Sequence, residues 1–157
     1  MADVTRWLEP DEQRTWRAFL DASRGLMAAL DRELQRDAGM PHAYYEILVR
    51  LSEASERRLR MSDLAEVTGS SRSRLSHAVA RLEENGWVRR VDCAADRRGQ
   101  VALLTDDGYA ALAAAAPGHV AGVRRHLFDQ LSPEQVEQLR RISEAVNGRL
   151  TAGEAAS

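Results

Sequence analysis

The stretch MSDLAEVTGSSRSRLSHAVARLEENGWVRRVDCAADRRGQVALLT, residues 61–105, decides how this chain is read. Ser62 can cap a short helix over residues 63–67, since its hydroxyl can accept an unpaired N–H and Asp63 suits the helix's positive end. Thr68-Gly69-Ser70-Ser71 is turn chemistry: Gly69 permits a sharp backbone reversal and a serine can cap the next helix. That helix is predicted over 72–85, closed by Gly86 in the left-handed conformation. Strand alternation follows in Trp87–Val91 and again in Gln100–Leu104, with turn residues between. Two helices and a hairpin in this order predict a winged helix-turn-helix. A two-stranded ribbon is marginal alone, so Val88, Val101 or Leu103 is expected to pack against the helices.

The second helix has two unlike sides. Leu75, Val79 and Leu82 recur at i, i+4 and i+7 and form one apolar stripe, with Ala78 beside it. At 100° per residue, Ser73, Arg74, His77, Ala80, Arg81 and Glu84 lie on the other side. Small hydrogen-bonding residues near the N-terminus with arginines around them suit a helix in the major groove, where arginine bonds guanine O6 and N7. Ser70 and Ser71 belong with that N-terminus, and Arg72 at its flank suits a phosphate. The hairpin leaves Asp96-Arg97-Arg98-Gly99 at its tip, where Arg97 or Arg98 can enter a minor groove and Asp96 can orient an arginine. The plain alternatives are a solvated helix face and a hydrophilic hairpin tip.

Charge is distributed in the same sense. Residues 57–101 hold ten arginines against six acids, a net of +4; the remainder has twelve against eighteen, a net of −6, which together make the chain's −2. A basic module in an acidic protein implies that one face meets a polyanion and that binding weakens with salt. All 22 basic residues are arginine, which reflects genome composition more readily than function.

At 157 residues and 44% hydrophobic content, the chain can bury one substantial core, or a small domain plus helices needing a partner. It has no bilayer-spanning run and no signal-peptide pattern, so no membrane association is expected and the cytoplasm is the expected compartment. Cys93 stands alone, which excludes an intramolecular disulfide and a cysteine-based metal motif.

Outside the central module the chain reads as helix. Trp16, Phe19, Leu20, Ser23, Leu26, Met27, Leu30 and Leu34 mark an amphipathic helix over 10–36. After Gly39 and Pro41 a second helix carries Tyr44, Tyr45, Ile47, Leu48 and Leu51 on its apolar side, followed by a polar stretch over 52–60. Thr105 caps a further helix with Asp106 and Asp107 in its first turn, which Pro117-Gly118 can kink or interrupt before Val120, Val123, Leu127 and Leu131 resume the period. Ser132-Pro133-Glu134-Gln135 starts the last helix with a capping box, and residues 151–157 are expected as a frayed tail. These outer helices present long apolar stripes that a second copy could cover, with an intramolecular bundle as the alternative. The expected class is mainly α with a small β-wing. Residues 1–38 form an N-terminal dimerisation helix, 39–105 a winged helix-turn-helix lobe with its wing over 87–104, and 106–157 C-terminal dimerisation helices and a tail.

The strings Leu64-Ala65-Glu66, Ser73-Arg74-Leu75-Ser76, Arg81-Leu82-Glu83, Gly86-Trp87-Val88-Arg89-Arg90, Asp96-Arg97-Arg98 and Leu104-Thr105-Asp106-Asp107-Gly108 resemble the MarR family of bacterial transcription regulators. The resemblance is strongest over residues 61–108 and looser in the outer helices. It implies a homodimer, usually a repressor, that binds a palindromic operator in double-stranded DNA and often releases it when a small molecule or oxidant binds. It implies a wing-tip arginine in the minor groove, with Arg98 slightly favoured over Arg97 because many relatives carry a spacer after the aspartate.

The resemblance also implies an effector site between dimer helices and the DNA-binding lobe. Here Trp16, His42, Tyr44 and Tyr45 could hold a small aromatic or phenolic effector, although aromatics at helical spacing also fit a core. Oxidant-sensing relatives carry a cysteine in the first helix, and this chain has none there; arginines near Cys93 could favour its thiolate. His119 and His126 lack an obvious carboxylate partner for zinc, so neither a metal nor another cofactor is expected. No GxSxG, HExxH, phosphate-binding glycine loop or paired catalytic carboxylates occur, so an enzyme is not expected. The competing class is a winged-helix module that contacts proteins without reading DNA.

Overall fold

The computed structural model describes residues 5–93 and 96–154, with side chains described throughout except at 93, 96–98 and 151–154. The chain divides into two compact units, residues 1–119 and 120–157.

In the first unit, helix α1 spans Pro10–Ala38 and opens with Pro10 at its first position, where a missing N–H costs nothing. The Glu12 carboxylate accepts the Glu9 N–H at 2.8 Å. Gly39, at φ 61°, ends the helix in the left-handed region and returns its N–H to Gln35. Helix α2, His42–Glu53, begins after Pro41, and Asp31 of α1 accepts the His42 N–H at 2.8 Å, which satisfies one orphan donor from outside the helix. Buried Tyr45, Ile47, Leu48 and Leu51 follow the predicted apolar side.

The polar 52–60 stretch is more structured than its composition suggested. The chain reverses through Glu56 and Arg57, both left-handed, and enters strand β1, Arg58–Arg60. The guanidinium of Arg57 sits 4.1 Å from the Tyr109 ring centroid and 3.2 Å from Asp106, contacts that offset the cost of a non-glycine residue in that region.

Helix α3, Met61–Val67, starts directly from β1 with Arg60 as its N-cap residue. Ser62 is therefore inside the helix rather than its cap, and its hydroxyl donates to Asp63 at 2.9 Å. Helix α4, Arg72–Glu84, is capped as expected: the Ser71 hydroxyl accepts the Arg74 N–H at 3.3 Å. Gly86, at φ 74°, takes the left-handed position beyond α4. Strands β2, Val88–Cys93, and β3, Asp96–Leu104, pair antiparallel, and β1 adds to the other edge of β3. The wing is thus part of a three-stranded sheet ordered β1-β3-β2 rather than a two-stranded ribbon. Its register pairs Val88 with Leu104 and Arg90 with Ala102. Val88, Ala102 and Leu104 face the core, while Val101 and Leu103 take the opposite face because side chains alternate along a strand.

Helix α5, Asp106–His126, is capped by Thr105, whose hydroxyl accepts the Gly108 N–H at 3.0 Å and donates to Gly86 O at 2.7 Å. A Cβ on Gly108 would stand 2.1 Å from Trp87 O, so the start of α5 presses against the entry to β2. Pro117 lies within this helix and does not interrupt it. Proline has no N–H to offer the carbonyl of Ala113, four residues back, and Ala113 is exposed. The core of the unit gathers Leu34, Met40, Leu48, Leu51, Leu64, Leu75, Val79, Leu82, Leu104 and Leu112.

The second unit holds the end of α5, a 3-10 turn at Phe128–Gln130 and helix α6, Pro133–Glu154. The helical period predicted through Leu131 breaks at that turn. The Ser132 capping box forms: Gln135 accepts the Ser132 N–H at 2.8 Å and donates its own N–H to the Ser132 hydroxyl at 3.3 Å. The helix extends to Glu154, past the expected fraying point. Among the described residues no helix is long and apolar enough to cross a membrane.

Candidate nucleic-acid interface

The N-terminus of α4 is built by the turn before it. Thr68 donates its hydroxyl to Leu64 O at 2.7 Å, Gly69 takes φ 59°, and the Ser70 N–H bonds Ala65 O at 2.9 Å. Ser70 is half-buried and its hydroxyl lies 3.5 Å from Thr68 O, so this serine is largely spent on the turn. Ser71 is exposed as well as capping. Arg72, Ser73, Arg74, His77 and Arg81 are exposed along α4, opposite fully buried Leu75, Val79 and Leu82. The helix is anchored by one side and presents a basic, polar row on the other.

Two ion pairs shape that row. Arg81 donates to Glu84 at 2.7 Å, and this bond holds its guanidinium above the usual arginine range. Arg90 of β2 grips Glu83 with its backbone N–H at 2.8 Å and its Nε at 2.7 Å, and reaches the Ser76 hydroxyl at 3.4 Å. The Arg90 side-chain bond, opposed by burial, keeps Glu83 below the usual carboxylate range. This half-buried clamp fixes the angle between α4 and the wing, and sequence reasoning missed it. The available signal was strand alternation, which turns Arg90 toward α4 when Arg89 faces out.

A polar cleft of about 390 Å³ lies where Arg60, Ser62 and Arg72 approach Gly99 and Gln100 of β3. The side chains of Asp96, Arg97 and Arg98 lie outside the described ones, and so do the wing-tip roles read for them.

Of the four predicted effector residues, His42 and Tyr45 are brought together, with ring centroids 6.4 Å apart, and Trp16 and Tyr44 point elsewhere. Trp16 stacks on Phe19 with ring centroids 6.2 Å apart and is 51% exposed. Tyr44 faces α4 across a groove shared with Arg74, His77 and Arg81. His42 and Tyr45 meet His119, whose ring lies 5.4 and 4.4 Å from theirs. Aromatic spacing alone could not separate these three directions around two helices. Instead, a cavity of about 240 Å³ is lined by Leu30, Glu33, Leu34 and Asp37 of α1, Trp87, and Ala111, Ala114, Ala115, Gly118 and His119 of α5. The small residues at helical spacing on α5 were its sequence signal, since they leave room beside the helix.

The Nδ1 of His119 is buried with no hydrogen-bond partner among the described residues. Burial first, then His42, pushes its imidazole below the ordinary value, and Glu33 opposes them. Burial raises the Tyr45 phenol. Among the described residues no three histidine, cysteine, aspartate or glutamate side chains converge to hold a metal ion.

A capped helix locked at a set angle to a β-wing, with its basic row outward, defines a winged helix-turn-helix. The MarR family model matches residues 38–99. The structure superposes on Sco3205, a MarR family transcriptional regulator from Streptomyces coelicolor crystallised with DNA, with TM-score 0.89 and 56% identity over 92% of this chain and 91% of that one. It superposes on AbsC, a MarR family regulator from the same organism, with TM-score 0.88 and 44% identity over 94% and 99% of the two chains. The transcriptional repressor MprA of Escherichia coli K12 is 27% identical over 112 residues, 71% of this chain; the match spans 63% of MprA's length. The chain belongs to the MarR family of transcriptional regulators, which is not a family of enzymes.

Proposed function

We propose that this protein binds double-stranded DNA as a homodimer and represses transcription from a palindromic operator. The observation that carries this reading is the outward row of α4, Arg72, Ser73, Arg74, His77 and Arg81, on a helix whose opposite stripe, Leu75, Val79 and Leu82, is buried. The likeness to a regulator crystallised with DNA supports it. Residues 39–105 are the DNA-binding lobe. Ser71, Ser73, Arg74 and His77 face bases, Ser70 shapes the helix entry, Arg72 meets phosphate, and Arg97 or Arg98, oriented by Asp96, enters the minor groove.

Residues 1–38 and 106–157 supply the dimer contacts. In the first unit Trp16, Phe19 and Met27 leave an apolar stripe exposed on α1. In the second, Ile142, Val146 and Leu150 do so on α6. Stripes of this kind mark protein interfaces. A two-fold pair would set recognition helices about 34 Å apart, one turn of DNA. The 240 Å³ cavity, rather than the four predicted aromatics, is the place for a small, largely apolar effector.

Fluorescence anisotropy on a duplex selected by the protein from a random-sequence pool tests the reading. Submicromolar binding that weakens steeply with salt is expected. Full affinity in the Arg97→Ala, Arg98→Ala double variant removes the wing contribution. No affinity at low salt leaves a module for protein contacts instead.

A further inference from the structure

The groove between the start of α2 and the outward side of α4 contains a residue whose sequence pattern pointed elsewhere. Tyr44 and Ala43 form one wall and Arg74, His77, Arg81 and Glu84 the other, around about 580 Å³. Tyr44 is half-buried against the core, so its ring is positioned by packing, and it lines the same groove as Arg81.

Position along α4 separates Arg81 from the residues that reach bases. Arg81 lies nine residues beyond Arg72, about 13 Å along the axis at about 1.5 Å per residue. The major groove is about 12 Å wide, and a recognition helix touches bases mainly through its N-terminal residues. When that end is seated, Arg81 falls at the groove's rim, where the phosphates run. Its present partner Glu84 lies 2.7 Å away, with side-chain exposures of 66% and 61%. An ion pair this exposed is held weakly, and a phosphate oxygen competes well for a guanidinium.

We propose that this groove seats one phosphate of the duplex backbone, held by Arg81 and the Tyr44 hydroxyl, with Glu84 as the intramolecular acceptor that Arg81 leaves on binding. This rests on the DNA-binding reading above. Arg81 then adds affinity without reading sequence, and Tyr44 belongs to the DNA face rather than to an effector pocket. Glu84 restrains binding by occupying Arg81 in the free protein.

The test measures full-length variants by anisotropy across a salt series, on the selected duplex and on an unrelated duplex of equal length, with circular dichroism to confirm folding. Arg81→Gln is expected to weaken binding to both duplexes by the same factor and to lower the salt slope by about one. Tyr44→Phe, which keeps the packed ring, is expected to cost about three- to fivefold on both. Glu84→Gln is expected to tighten binding about two- to fivefold in the wild-type background and to do nothing once Arg81 is Gln. A changed base preference in Arg81→Gln overturns the assignment, as does unaltered affinity in Tyr44→Phe. So does a Glu84→Gln gain that persists without Arg81, since that is plain charge repulsion. Arg74→Ala separates the two levels. If it loses preference for the selected duplex while the groove variants show no effect, the groove assignment alone fails; if wild-type protein binds neither duplex, both readings fail.

Discussion

Helix α4 and the first half of α1 carry the same apolar spacing and end in opposite states. In α4, Leu75, Val79 and Leu82 are at most 1% exposed; in α1, Phe19 is 58% exposed and stacks on exposed Trp16. The pattern in both states which side of the helix is apolar. Whether that side is covered depends on what the rest of the fold places against it. The sheet and helices α2 and α3 close over α4, whereas α1 is buried only near its end, at Leu30 and Leu34. One stripe therefore stabilises the fold and the other is available for association.

The strongest way to break this contrast is to empty the two stripes in turn. Leu82→Ala should destabilise the protein by about 2–5 kcal/mol, because a fully buried leucine leaves a cavity as well as losing its transfer free energy. Chemical denaturation checks this, and a loss below 1 kcal/mol would show that the helix is not clamped by its apolar side. If the proposed dimer uses this stripe, Phe19→Glu should leave the far-ultraviolet dichroism intact yet weaken self-association at least about tenfold, because it puts a charge into a face that a second copy would desolvate. Sedimentation equilibrium measures it, and an unchanged molecular mass would assign the stripe another role.

Smaller effects refine the comparison at the lobe's edges. Ser71→Ala removes the acceptor for the Arg74 N–H and should cost about 1 kcal/mol, with Ser71→Asp restoring most of it. A pH series probes His119 at the end of the first unit. Its folded-state pKa is depressed, so below its ordinary value of about 6.5 the unfolded chain takes up the proton more readily. Stability is full above that value and falls as pH drops through it toward the folded value. His119→Leu should flatten this dependence below about pH 6.5, followed by thermal melts.

The elements most legible in the sequence were those whose signals are local. Ser71, Gly86, the Ser132 box and the bond from Gly108 to Thr105 act within four residues of the backbone groups they satisfy, so reading them needs no tertiary information. The misreadings around the wing share one cause, a partner distant in sequence. Strand β1 has three residues and no period of its own, and it exists because β3 offers Leu103, Ala102 and Val101 as partners. Its arrival moves the start of α3 to Met61 and displaces Ser62 from the cap. The choice between Ala102 and Val101 as the inward residue is a matter of register, which a one-residue slip inverts. Arg90 and Glu83 look like ordinary surface charges until β2 lies against α4.

Taken alone, the sequence determined the fold class, the turn-helix-wing order, the buried stripe of α4 and the basic row opposite it. Those follow from periodicity and capping, which are properties of a chain a few residues at a time. Tertiary structure alone decided that Tyr44 faces α4, that His42, Tyr45 and His119 share one junction, and that the cavity opens beside the alanines of α5. Direction around a helix axis acquires meaning only when a second element supplies the other wall.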